Sequence, residues 1–222
     1  MRLVITEVTE MSAGNFCVAG WNAQSGLMVR PLPSGANWTA GLLQQHSVAP
    51  GAVLNFNPTG LVHNSTFPHR TEDTPVDPST ITVVKVGPVA WFGPNVPTCA
   101  GTLAQAFQGH VQHNSVWDGV FQGVYVPVGT QTRSLWGVNC QRGGLTFVED
   151  FGKLKAHFYD GAATYKLAVS SHVLKAHFRG GGLAAVNQAL PRSGNLHVRV
   201  GLARAFGNPA DKCYVMINGV HW

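Results

Sequence analysis

Lys153-Leu154-Lys155-Ala156-His157-Phe158-Tyr159 alternates without a break, with Leu154, Ala156 and Phe158 on one side and Lys153, Lys155, His157 and Tyr159 on the other. Successive side chains of a strand point to opposite faces, so a period of two predicts a half-buried β-strand whose outer face is basic and aromatic. The pattern recurs in residues 196–200, with Leu196, Val198 and Val200 inward and His197 and Arg199 outward. Residues 214–217 supply a closing strand. If these strands adjoin, one sheet face carries Lys, His, Arg and Tyr together.

The rest of the chain follows the same logic. Residues 3–8, 16–21 and 27–30 read as a three-stranded meander, with turns at Ser12-Ala13-Gly14-Asn15 and residues 22–26, and Pro31 and Pro33 end it because proline donates nothing to a ladder. Residues 52–56 form another strand. The stretch 57–80 is then read as a long Pro-rich loop carrying Pro58, Pro68, Pro75 and Pro78, before residues 81–86 resume an extended run. Two short helices are expected. One is capped by Thr98 and presents Leu103, Ala106, Phe107 and Val111; the other covers residues 183–190 between Gly180-Gly181-Gly182 and Pro191. Leu154-Lys-Ala-His-Phe158 returns as Leu174-Lys-Ala-His-Phe178, but two copies do not make a repeat architecture, which needs at least three units.

Of 222 residues 45% are hydrophobic and 11% charged, with 26 Gly and 13 Pro, a globular and turn-rich composition. Cys17, Cys99, Cys140 and Cys213 lie far apart with no CxxC, which argues against a zinc ribbon or a disulfide scaffold. Glu7 and Glu10 stand where a signal peptide needs apolar residues, so a cytoplasmic, membrane-free protein with reduced thiols is expected. The charge is lopsided. Residues 1–111 hold four Lys/Arg against five Asp/Glu, and residues 112–222 hold eleven against five. A positive second half favours polyanion partners.

Catalytic signatures are missing: there is no GxSxG, HExxH, P-loop or strand-borne GxGxxG. Asp150-Phe151-Gly152 reads as a turn ahead of the Lys153 strand. His110-x-x-His113 and the His172/His177 pair lack a third ligand on a firm element, so no metal site is assigned. Cys17, in the apolar run Phe16-Cys17-Val18-Ala19, reads as a small buried hydrophobe. Trp38, in the 34–38 loop, and Trp136, beside Arg133, are the tryptophans placed to stack on bases.

Several blocks, in order, resemble the dual OB-fold domain proteins of prokaryotes. They are Leu3-Val4-Ile5, Cys17-Val18-Ala19-Gly20 and Val29-Arg30-Pro31; then Ser134-Leu135-Trp136, Ala156-His157-Phe158-Tyr159-Asp160-Gly161 and Tyr165-Lys166-Leu167-Ala168-Val169; and finally Val198-Arg199-Val200-Gly201-Leu202 and Cys213-Tyr214-Val215. Ser170-Ser171 stand where that family usually continues with Thr-Asp. The resemblance implies two five-stranded barrels that sense nucleic acids or nucleotides, in prokaryotic conflict or defence systems, with no catalytic residues to carry over.

The expectation is therefore a mainly β chain of two small OB-like barrels, in tandem or intertwined, with one or two short helices: residues 1–118 with the 57–80 loop, and the more basic 119–222. Its expected role is a non-catalytic module for single-stranded nucleic acid or a nucleotide, with neither cofactor nor metal. Arg30, Arg142, Lys153, Lys155 and Arg199 would contact phosphate or polar groups; Trp38, Arg133, Trp136, His157 and Tyr159 would form or flank stacking platforms. Two other readings are a protein-interaction domain acting through the 57–80 loop, and a hydrolase or nuclease needing two or more of Asp118, Glu149, Asp150 and Asp160 to converge.

Overall fold

The turn residues of the N-terminal meander do what their chemistry allows, joining β1 (Arg2–Glu10), β2 (Asn15–Asn22) and β3 (Leu27–Pro33) as successive antiparallel neighbours. The structure, a computed structural model, describes residues 1–60, 65–86, 96, 101–206 and 208–222. After β3 come the two-residue β4 (Trp38–Thr39) and α1 (Ala40–Gln45), whose first turn is capped by the Thr39 hydroxyl accepting from the Leu42 N–H. Next are β5 (Ala52–Pro58) and β6 (Asp73–Val86). Strand β6 runs parallel to β3 and antiparallel to β5, and β5 returns to β1, so five strands close in the cyclic order β1-β2-β3-β6-β5. Leu3, Ile5, Val18, Leu54, Phe56 and Val76 fill this barrel.

Strand β6 corrects the long loop expected over 57–80. Extended structure resumes at Asp73 and runs through Pro75 and Pro78. Proline is tolerated because Pro78 falls between the paired residues Asn57–Asp77 and Asn55–Thr82, where the ladder is irregular and asks it for no donor. Pro75 contributes its carbonyl, which accepts from the Thr59 N–H at 3.0 Å.

Beyond the barrel, α2 (Leu103–Ala106) is capped by Thr102, and Gln105 reaches back to the Thr102 N–H. The expected cap, Thr98, lies outside the described residues. There follow β7 (Ser115–Trp117), β8 (Val120–Gln122), β9 (Tyr125–Pro127), β10 (Leu135–Gln141), β11 (Leu145–Asp150), β12 (Lys153–Tyr159) and β13 (Thr164–Val169). The chain ends with α3 (His172–Gln188), β14 (Asn195–Leu202) and β15 (Lys212–His221). The main sheet runs β10-β14-β15-β13-β12-β11, with β13 and β15 parallel. Its two end strands, β10 and β11, are consecutive in the chain, joined by one 3-10 turn at Arg142–Gly144. Leu103, Ala106 and Phe107 belong to this second core.

Three helices are described, not one or two. The third is longer than the predicted 183–190 segment: it starts at His172, capped by Ser171, and is kinked where Gly182 takes φ 63°.

The outer face of β14 is not wet. His197 and Arg199, expected outward, are buried along with Leu196, Val198 and Val200, and β1 reaches Arg199 through Glu7. Arg199 is 0% exposed and its Nε donates to Glu7 Oε2 at 2.9 Å; the His221 ring bonds the Thr6 carbonyl at 2.9 Å. A second seam cluster gathers at Arg30. Its Nη1 donates to Asp73 at 2.6 Å and its Nη2 to Ser134 Oγ at 2.9 Å, while Arg204 holds the other Asp73 oxygen at 2.6 Å. Burial alone would raise the Asp73 carboxyl, but Arg30 beside it, helped by Ser65 and Arg204, holds it down to about 2. Glu72, which accepts from Ser134, is pushed up by burial.

Candidate nucleic-acid interface

The open surface of the second sheet is built by register. On β12, Leu154, Ala156 and Phe158 enter the core as predicted, leaving Lys153, Lys155, His157 and Tyr159 outside. The β11–β12 turn at Phe151-Gly152 has positive φ at both positions, which fixes the pairing of Asp150 with Lys153 and of Val148 with Lys155. On the other side β13 pairs Lys166 with His157 and Thr164 with Tyr159. Paired residues share a face, so Lys166 joins the basic surface.

The hairpin β7–β8 widens it. Asp118-Gly119, both at positive φ, turn the chain tightly, and β8 lies parallel to β13. One row therefore reads Trp117–Val120–Thr164–Tyr159 and the next Ser115–Gln122–Lys166–His157–Thr146. Trp117 is 75% exposed and Tyr159 48%, at one end of the surface; Phe151, 97% exposed, sits at the tip of the β11–β12 turn at the other. Between them lie Lys153, Lys155 and Lys166. The length from Tyr159 to Lys153 is about 20 Å at roughly 3.3 Å per residue. Asp150 forms an ion pair with Lys166 on this face at 3.0 Å with both side chains partly exposed, so it moderates the positive charge without burying it.

The ten candidate residues separate cleanly. Lys153, Lys155, His157 and Tyr159 stand together on this face. Arg199 and Arg30 are corrected to buried seam residues, removed from any phosphate by their ion pairs. Arg199 was expected outside because alternation shows that a strand has two faces, not that both are covered. Trp38 is likewise a core residue: fully buried, edge-on to Phe56, its indole N–H donating to the Pro31 carbonyl at 2.8 Å. Arg142 pins the β10–β11 bend, donating to the Pro191 and Leu145 carbonyls and to Asn187. Trp136 packs against the second core with Arg133 5.9 Å from its ring, on β10 and away from the β12 rows. Strand β14 is separated from β12 by β15 and β13, so the expected single surface of Lys, His, Arg and Tyr from both strands does not form.

Sequence reasoning missed Trp117 and Lys166. The signal for the first is Asp118-Gly119 flanked by Val116-Trp117 and Val120-Phe121, a strong two-residue hairpin signature. Lys166 was visible in the alternation of Tyr165-Lys166-Leu167-Ala168-Val169.

Two of the four acids of the hydrolase reading have other engagements. Asp160 is buried and accepts from the backbone N–H groups of Leu103, Ala162 and Ala163, and Asp150 pairs with Lys166. Among the described residues no three His, Cys, Asp or Glu gather as a metal site, and no described helix is long and apolar enough to cross a membrane. No family model, curated protein or solved structure matches this chain.

Proposed function

We propose that the chain is a non-catalytic module of two OB-like barrels that binds single-stranded nucleic acid across β12, β13 and the β7–β8 hairpin. The observation that carries this is the register-built face itself, with exposed Trp117 and Tyr159 in one row and Lys166 and His157 in the next. Aromatic faces stack on bases and lysines follow the phosphates, the combination by which single strands are held without sequence readout.

The barrel reading rests on connectivity. In the first lobe the cyclic order is first strand, second, third, fifth, fourth, with the third and fifth parallel and a helix between the third and fourth. The second lobe repeats this cycle if β10 and β11 count as two halves of one bent strand: β12, β13, β15 and β14 follow in the same order, β13 parallel to β15, with α3 in the position of α1. By this count β12 and β13 are the second and third strands, the surface on which OB barrels hold oligonucleotides. The equivalent surface of the first barrel is closed, since all but the first residue of β3 is buried. The resemblance to dual OB-fold proteins points the same way.

The test is fluorescence anisotropy with labelled single-stranded DNA, single-stranded RNA and duplex DNA at two salt concentrations. Single strands should bind more tightly than duplex and weaken with salt. Trp117→Ala should cost about tenfold, and Lys155→Glu combined with Lys166→Glu at least that. Absence of binding to every strand at low salt, with the protein folded, overturns the proposal.

A further inference from the structure

Beside Tyr159 a cavity of about 620 Å³ opens where β10, β12, β14 and the end of β15 meet. Its size falls within the roughly 300–1,000 Å³ usual for small-molecule sites. Two half-exposed aromatic side chains line it, Tyr159 and Trp222. Deeper in, His197 is 3% exposed, and neither of its ring nitrogens has a hydrogen-bond partner among the described residues. A buried polar group without a partner is costly, and few are kept without a reason.

The rest of the lining narrows the class of ligand. Gln141 Nε2 donates to Asn195 Oδ1 at 2.6 Å, which leaves this amide pair an acceptor, Gln141 Oε1, and a donor, Asn195 Nδ2. Among the described residues no Lys or Arg lines the cavity, and the Asp160 carboxylate at its edge is taken up by backbone N–H groups, so none of them addresses a phosphate or a cation. Burial pushes the Cys140 thiol up to about 11, which removes it as a nucleophile at neutral pH. Burial, followed by Arg199 and His221 nearby, lowers His197 to about 3, so its ring is neutral and offers one donor and one acceptor.

We infer that this cavity holds a single nucleobase, stacked against Tyr159 or Trp222 and read along its edge by His197 and the Gln141–Asn195 amide pair. The inference rests on the nucleic-acid reading, since Tyr159 belongs both to the cavity and to the basic face: a base leaving the strand at Tyr159 would enter it while the neighbouring nucleotides' phosphates stay among the lysines. A free nucleotide offers the same heterocycle, and the two sources are separated by experiment.

The measurement is NMR of the His197 ring nitrogens and the Trp222 indole during titration with the four nucleosides, their 5′-monophosphates, a single-stranded oligonucleotide, and the same oligonucleotide carrying abasic positions. At least one base should shift both signals, with nucleoside and monophosphate binding within about threefold of each other because no cation meets the phosphate. Trp222→Ala and Asn195→Ala, both at exposed positions, should each weaken that binding about tenfold. Lys155→Glu should leave it within about twofold while weakening the oligonucleotide. If abasic positions abolish the His197 shift, the strand is a source of the base; if only the monomers produce it, the free nucleotide is. Oligonucleotide binding with His197 and Trp222 unmoved by every compound overturns the cavity proposal and leaves the face standing. Monomer binding without oligonucleotide binding overturns the face and keeps the cavity.

Discussion

The pentapeptide Leu-Lys-Ala-His-Phe occurs twice, as the strand residues 154–158 and the helix residues 174–178. In β12 its burial follows a period of two, with Leu154, Ala156 and Phe158 inside; in α3 Leu174 is buried and Phe178 packs one turn later against the same core, while Ala176 faces solvent. The five residues are identical, so the flanks decide. Ser171 caps the second copy, its hydroxyl accepting from the Leu174 N–H, and Phe151-Gly152 turns the first copy back onto β11. Intrinsic preference is a weak force that caps, turns and partner strands override.

The same substitution made in both copies tests how far the two environments differ. Ala156→Lys places an unpaired ammonium where the side chain is wholly buried and should cost more than about 5 kcal/mol, enough to prevent folding of the second lobe. Ala176→Lys should change stability by no more than about 0.5 kcal/mol. Denaturant melts of both variants measure the contrast, and equal effects would break it. A smaller gap is expected at the phenylalanines. Phe158→Ala opens a cavity in the core at about 3–5 kcal/mol, whereas half-buried Phe178→Ala should lose under about 2 kcal/mol by the same assay.

The smallest effect is acid-dependent and confined to the helical copy. Burial would raise the Glu10 carboxyl, but Arg179 and His172 bond it, and with Lys175 nearby they hold it at about 2 against an ordinary 4.5. A depressed carboxylate contributes stability that is complete above pH 4.5 and is lost as pH falls toward 2. Hydrogen exchange in the first turns of α3 should therefore quicken over that window while β12 stays protected, and Glu10→Gln should flatten the dependence. Parallel loss in both elements would show that α3 is not separately tethered.

The hairpins and the inward side of β12 were legible because turn residues and alternation are local. The destination of the outer faces was not. His157 and His197 occupy equivalent positions in their alternating patterns, yet one is on the open surface and the other is buried. Nothing within residues 196–200 records that Glu7, distant in the chain, completes Arg199. Nor does Pro75 announce that its strand continues, since local chemistry marks proline as a breaker and only the pairing of β6 shows where no donor is required. The candidate face was half legible for the same reason: Lys153, Lys155 and Tyr159 lie on one strand, but Lys166 joins them only through the pairing of β12 with β13, and Trp117 only through that of β8 with β13.

The Glu7–Arg199 pair also governs how the molecule can be taken apart. A second lobe expressed alone would lose the Glu7 carboxylate to which the buried Arg199 guanidinium donates. Removing one member of such a pair costs about 3–5 kcal/mol, a large share of what holds a small domain together. The basic lobe, though it bears the whole proposed binding face, is thus not a portable cassette: the first barrel acts as its scaffold, and fusions or truncations should keep both.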